Sequence, residues 1–271
     1  KILNKNNFKF VSINNKIKDY SENEINLINN YKSNLIVIDR LGSINKKFIY
    51  DLKKNHKKIL LFDDSSCNRD LVDLAINSLI LNVKKSKKTL TGHQFNIVPG
   101  FLANKEKNRR YKRSQTIFIS FGGYDKNNLT VKLVKNLLKS KINFNLFLNK
   151  KYKNLYKNNK KIRFYNSKNY YKNLILSNLV ISAGGLTMFD AIYFNKTIIS
   201  IPQYKHQLRN INILSKKKVV YKLNINNITK INFLLNNINQ KKFYQIGNNS
   251  ILNSKLINKT LNKIYKQYEE N

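Results

Sequence analysis

The chain has 271 residues, 52 Lys and Arg against 14 Asp and Glu, a formal charge of +38, and 41% hydrophobic residues. That length and apolar content suit about two domains with cores of their own and exclude a chain that is mainly disordered. The single cysteine, Cys67, excludes an internal disulfide and a Cys-based zinc cage, and no run of about 18 apolar residues is present to cross a bilayer.

In chain order, short apolar runs alternate with longer stretches of helical spacing, the pattern of an α/β protein with parallel sheets. Strands are predicted at Phe8 to Ile13, Leu35 to Asp39 and Lys58 to Phe62, separated by helices at Glu22 to Tyr31 and Lys46 to Asn55. Short runs follow at Leu74 to Asn77 and Phe95 to Val98. Lys105 to Ser114 holds almost no apolar residue and reads as a solvated connection, so a boundary near residue 110 divides an N-terminal domain, 1–110, from a second, 111–271. Beyond it, strands are predicted at Thr116 to Phe121, Asn143 to Leu148, Ile162 to Tyr165, Leu179 to Ser182, Thr197 to Ile201 and Val219 to Leu223, with helices in the gaps. Such continuous apolar runs fit strands covered on both faces. A closing helix is expected from Ile251 to Tyr268, where apolar residues recur at helical spacing.

The charge points first to a polyanionic partner, since Lys and Arg release counterions from phosphates. Yet the excess consists of 45 Lys and only 7 Arg, beside 47 Asn. Codons made of A and T alone encode Lys, Asn and Ile, so an A/T-rich reading frame produces this surface without selection for binding. The basic residues are also spread along the chain and do not alternate with aromatics as in a single-strand binder. No nucleic-acid partner is expected, and the charge leaves a peripheral membrane contact open. Without a charged and apolar leader, the expected location is cytoplasmic.

Eight glycines is a small number for this length, and four of them form two pairs, Gly122-Gly123 and Gly184-Gly185. Each pair follows a predicted strand and precedes a predicted helix, at the carboxyl edge of the sheet where ligands of open α/β folds bind. There a glycine pair lets backbone approach a ligand, and the first amides of the next helix attract phosphate; a tight turn needing positive φ is the other explanation. After the second pair, Thr187 falls in the first helical turn and Asp190 three residues on, on one face. A carboxylate there suits a pair of sugar hydroxyls such as those of ribose, or simply complements the positive helix end.

The run Ile119 to Thr130, ISFGGYDKNNLT, resembles the SFGGSDxxNLT signature of the pseudaminic-acid-pathway UDP-sugar hydrolases and the related spore-coat polysaccharide proteins. The stretch from Ser182, SAGGLTMFDAIYFNKTIISIP, followed by Gln207, is similar to that family's SxGGxTxxE, strand, proline and Gln. More distantly the chain is similar to MurG-type N-acetylglucosaminyl transferases. The resemblance implies a GT-B fold of two Rossmann-like parallel-sheet domains, the N-terminal one incomplete. It implies attack of water on the anomeric carbon of a UDP-linked diacetamido-trideoxy sugar, with release of UDP and with neither cofactor nor metal. Matched residue by residue, Ser182, Gly184, Gly185, Thr187 and Asp190 would line the nucleotide, with Gly122, Gly123, Asp125, Asn128 and Gln207 nearby.

The departures from the family matter as much. Asp190 stands where Glu is usual, and Tyr124 replaces a small residue. The family opens on a strand and a GxGHxxR loop whose His handles the attacking water. No such segment is found here, residue 1 is Lys, and the one methionine is Met188, so the chain reads as starting one βα unit late. No catalytic residue is therefore assigned. Of the three histidines, His56 is expected to be exposed at the end of a Lys-rich helix, His93 lies in a divergent loop, and His206 is the best placed, able to meet the diphosphate as an imidazolium. A glycosyltransferase using a UDP-sugar donor, and a degenerate nucleotide-sugar-binding protein, are the alternative readings.

Overall fold

The computed structural model describes residues 17–79, 88–92, 95–96, 115–142 and 144–240. The strand expected at Phe8 to Ile13, the solvated connection, the boundary near residue 110, His93 and the closing helix all lie outside the described residues. Of the described residues, those up to Asn77 together with 88–90 form one compact unit, and the remainder form a second.

The first unit runs α1 (Glu22–Asn29), β1 (Ser33–Gly42), α2 (Lys46–Lys53), β2 (His56–Asp64), β3 (Leu74–Asn77) and β4 (Thr89–Thr91). The sheet order is β1-β2-β3-β4, and β1, β2 and β3 pair in parallel. Both helices begin at side-chain caps. Ser21 accepts from Glu24 N, and Asn45 Oδ1 accepts from Phe48 N at 2.8 Å, each satisfying an amide that the first helical turn leaves open. Ile25, Phe48, Ile49 and Leu52 then face Ile38, Ile59, Leu61 and Ala75 in one core. His56 corrects the expectation of an exposed helix end. The helix stops at Lys53, and His56 opens β2, buried, with Nδ1 2.7 Å from Ser33 Oγ on the neighbouring strand.

The second unit continues with β5 (Gln115–Ser120), α3 (Leu129–Leu137), β6 (Phe144–Asn149), α4 (Lys153–Tyr156), β7 (Ile162–Tyr165) and α5 (Tyr170–Leu176). It is completed by β8 (Leu179–Ser182), α6 (Leu186–Tyr193), β9 (Thr197–Ser200), α7 (Lys205–Lys216), β10 (Tyr221–Lys222) and α8 (Ile231–Gln240). Six parallel strands lie in the order β10-β9-β8-β5-β6-β7. The chain winds outward one way from β5 to β7, then returns to the middle and winds the other way from β8. This is the doubly wound order, with its reversal between β5 and β8.

Alternate residues of each strand feed two different cores. Ile117, Ile119, Leu146, Leu148, Leu179 and Ile181 pack under α3 and α8, through Leu133, Leu137, Ile231 and Leu235. Phe118, Phe147, Val180 and Ile198 pack under α5, α6 and α7, through Leu174, Phe189, Ile192, Ile211 and Leu214. Burial of each such side chain contributes about 1.5–3 kcal/mol, which is why these strands read as unbroken apolar runs. β5 and β8 are further clasped by Thr116 and Asn178, 62 residues apart, whose side chains and backbones exchange hydrogen bonds of 2.8 to 3.2 Å.

Candidate functional site

Both glycine pairs lie at the carboxyl ends of the two strands that flank the reversal, after Ser120 and after Ser182, which are paired in register. This is the crevice that a doubly wound sheet leaves open for ligands. The two pairs do different work there. Gly122 takes a left-handed φ of 79°, and a side chain at Gly122 or Gly123 would meet nothing within 4 Å, so this turn faces open space. Gly184 is closed in: a Cβ there would stand 2.7 Å from the Gln207 carbonyl oxygen and 3.0 Å from Ile211 Cγ1. Neither Gly184 nor Gly185 has a left-handed φ, so the second pair exists for close approach, and the backbone it approaches is the first turn of α7.

The helix starts separate the two motifs further. Asp125, expected near the ligand, turns back onto its own helix: Oδ1 accepts from Leu129 N and Oδ2 from Thr130 N, both at 2.8 Å, and Tyr152 donates to Oδ2 at 3.0 Å. A carboxylate thus already fills the anion site at the start of α3. Asn128, with φ 50°, makes no capping bond. α6 has no such plug. It begins at Gly185 without a side-chain cap, and the amides of Leu186 and Thr187 have no partner among the described residues. α7 begins the same way at Tyr204, with Lys205, His206 and Gln207 amides open. Two uncapped helix N-termini, held together by Gly184, carry partial positive charge toward the same sheet edge.

Beneath them runs a row that the motif reading missed. β5, β8 and β9 all end in serine, and Ser120, Ser182 and Ser200 pair in register across the three strands. Ser182 and Ser200 are fully buried, and their hydroxyls have no hydrogen-bond partner among the described residues. An unpaired buried hydroxyl costs about 1–3 kcal/mol, the kind of exception expected where function demands polar groups. Ser182, expected to line the ligand, therefore lies beneath the turn. The signal was legible: the runs end FIS, VIS and IIS.

Thr187 and Asp190 do share one face of α6, as their spacing requires, and Tyr170 joins them. Its hydroxyl lies 3.0 Å from Thr187 Oγ1 and 3.2 Å from Asp190 Oδ2, while Ser120 Oγ lies 3.4 Å from Thr187 Oγ1. One phenolic proton cannot serve two acceptors, and an ionised carboxylate only accepts. The Tyr170 hydroxyl stands as donor toward both oxygens, and its one proton goes to the ionised Asp190. Asp190 is 5% exposed, and burial pushes its pKa up to about 6 against the opposing pull of the Tyr170 hydrogen bond. Burial, and next the Asp190 charge, raise the Tyr170 phenol far above its usual range, so it stays a donor.

Gln207 is buried, and its Oε1 accepts from Gln203 N at 2.9 Å; Gln203 in turn donates to the Phe121 carbonyl at 3.0 Å, tying the two turns of the crevice together. Gln207 Nε2 lies toward Gly185 and makes no hydrogen bond among the described residues. His206 stacks on Tyr204 with ring centroids 5.7 Å apart, and partial burial lowers its pKa, which works against the imidazolium form. Lys151 Nζ reaches the Gly123 carbonyl at 3.1 Å and brings a cation to the open turn. Among the described residues no group of three His, Cys, Asp or Glu could hold a metal ion, and no helix is long and apolar enough to cross a membrane.

The S. aureus MnaA–UDP structure matches with a TM-score of 0.62 at 12% identity, covering 99% of this chain and 85% of that one. MurG of Acinetobacter baumannii gives 0.57 at 13% identity, covering 88% and 78%. The fold is GT-B. A glycosyltransferase from Rickettsia africae also matches, at a TM-score of 0.54 and 14% identity, covering 100% of this chain and 87% of that one. In sequence, the chain is 25% identical over 211 residues to an uncharacterized protein of Methanocaldococcus jannaschii. The match takes in 67% of this chain and spans 42% of that relative's length. No family model matches.

Proposed function

We propose that the second unit binds a nucleoside-diphosphate sugar, its diphosphate on the open amides of α6 and α7, and that the protein transfers the glycosyl group from it. One observation carries this reading: of the helices leaving the crevice, α3 has its first amides filled by Asp125, whereas α6 starts at a glycine with its amides open. Leu186 and Thr187 then contribute backbone N–H groups, Gly184 and Gly185 bring α6 close to α7, Gly122 and Gly123 leave room opposite, and Gln207 Nε2 and His206 stand at the α7 side. Asp125 and Ser182 belong to the scaffold. In the reaction the bond from the anomeric carbon to the diphosphate oxygen breaks and an acceptor hydroxyl forms the new one. The charge that gathers on the departing diphosphate meets fixed amide dipoles, which need no reorganisation. Neighbours that hold UDP or are glycosyltransferases support the reading. It carries with it a cytoplasmic location, where such donors are made.

A second reading, hydrolysis of a UDP-linked diacetamido-trideoxy sugar, is favoured by the two glycine motifs, Ser120 to Thr130 and Ser182 to Asp190, which resemble those of the UDP-sugar hydrolases. The two reactions share the leaving group and differ in whether water or an acceptor attacks.

The test is calorimetric titration with UDP. The chain should bind it, and Gly185→Asp should weaken binding at least tenfold. The new carboxylate would cap α6 as Asp125 caps α3, in space where a Cβ meets only Gln207 Nε2 at 3.9 Å, and would raise stability by a few tenths of a kcal/mol. A chain that ignores UDP, or a Gly185→Asp variant that binds it unchanged, would overturn the assignment.

A further inference from the structure

The nucleotide reading gives Asp190 to the sugar of the nucleoside, whose neighbouring 2′ and 3′ hydroxyls together need two acceptor oxygens. The structure has already committed one of them. Oδ2 accepts from the Tyr170 hydroxyl, and Tyr170 has no freedom to withdraw. Its ring is packed edge-on against Phe118 at 5.3 Å, Tyr165 at 5.8 Å and Tyr171 at 4.9 Å, and its hydroxyl is held again by Thr187. Asp190 itself is 5% exposed, so its side chain cannot swing outward to compensate without leaving the core. Only Oδ1 remains without a hydrogen bond among the described residues.

We propose that the Tyr170 hydroxyl takes the place of the ribose 2′ hydroxyl on Asp190 and leaves Oδ1 to the 3′ hydroxyl, so that the site accepts 2′-deoxynucleoside diphosphates about as well as ribonucleoside diphosphates. This rests on the nucleotide reading above and extends its substrate class to deoxynucleotide-linked sugars. A carboxylate that gripped both hydroxyls would separate UDP from its deoxy analogue by roughly tenfold or more, the usual worth of a hydrogen bond to a charged group. With one oxygen occupied from within the protein, that discrimination is largely removed. Tyr170 is a positioning residue in this scheme, acting on the ligand through Asp190.

The experiment titrates the chain with UDP and with 2′-deoxy-UDP at pH 8, where Asp190 is ionised. The two dissociation constants should agree within about threefold. Tyr170→Phe keeps the ring contacts and releases Oδ2; in that variant the preference for UDP should rise to roughly tenfold, a change of ratio that loss of packing alone would not produce. Tenfold or greater preference for UDP in the unmodified chain overturns the proposal and leaves the nucleotide site standing. An unchanged ratio in Tyr170→Phe overturns it as well. If neither nucleotide binds, the nucleotide reading falls and this inference with it.

Discussion

The contact at Gly184 permits a sharp test of how the crevice is built. In Gly184→Ala the new methyl would stand 2.7 Å from a backbone oxygen of Gln207, 3.0 Å from Gln207 Cβ and 3.0 Å from Ile211 Cγ1. None of these is the far end of a flexible side chain. Gln207 O belongs to the first turn of α7, and Ile211 is fully buried one turn on, so the helix must shift as a body against the core beneath it. Overpacking of this kind costs about 1–3 kcal/mol. For a chain of this size that lowers Tm by roughly 2–12 °C, at about 2–4 °C per kcal/mol. Two controls come from the same structure. Gly122→Ala meets open space but must hold a φ of 79°, a penalty of about 1 kcal/mol, and Gly123→Ala has neither problem and should change stability by less than about 0.5 kcal/mol. Thermal and urea unfolding followed by circular dichroism should rank the losses Gly184, then Gly122, then Gly123. Wild-type melting in Gly184→Ala, or equal losses at all three positions, would refute the account of close approach.

Asp125→Ala should destabilise the chain by about 1–2 kcal/mol, because it uncaps two amides of α3 and strips Tyr152 of its acceptor, while the UDP dissociation constant changes less than about twofold. A large loss of UDP affinity without loss of stability would return Asp125 to the ligand. Asp190 gives a pH signature. Its pKa is raised on folding from 3.8 to about 6, mainly by burial, so its favourable contribution is fully present below pH 3.8 and is lost as pH rises through 6. Asp190→Asn never ionises, and its stability relative to wild type should climb between pH 4 and pH 7, toward an upper bound of about 3 kcal/mol at 1.36 kcal/mol per unit. Urea titrations in which the two proteins keep a constant gap over that range would count against the burial of an ionised Asp190.

Local features were readable and non-local ones were not. Strand positions in the second unit follow from apolar runs, and β7 and β8 fall on the residues expected, because side chains buried on both faces leave an unbroken pattern. The glycine pairs stood out for their rarity, but the motif could not say which pair is open and which is packed, since that depends on α7 returning over Gly184. The capping role of Asp125 was hidden for a local reason: it lies four residues before α3, and the left-handed turn at Asn128 brings its carboxylate back over the first amides. Tyr170 carries no motif at all, and its role appears only once α5 and α6 pack on the same face of the sheet. His56 looked solvated because lysines surround it, yet the two-residue turn after α2 makes it the first residue of a covered strand.

The clasp between Thr116 and Asn178 has a kinetic consequence. The open turn after β5 is made early in the chain, but the helix start that faces it arrives only with β8, so the crevice does not exist until a contact spanning 62 residues has closed. Closing a loop of that length costs entropy before any pairing rewards it. A fragment that ends after β7 would hold half a crevice and no place for a diphosphate. A bound nucleotide should therefore slow unfolding far more than it speeds folding, acting as a latch on a sheet whose two halves have already met.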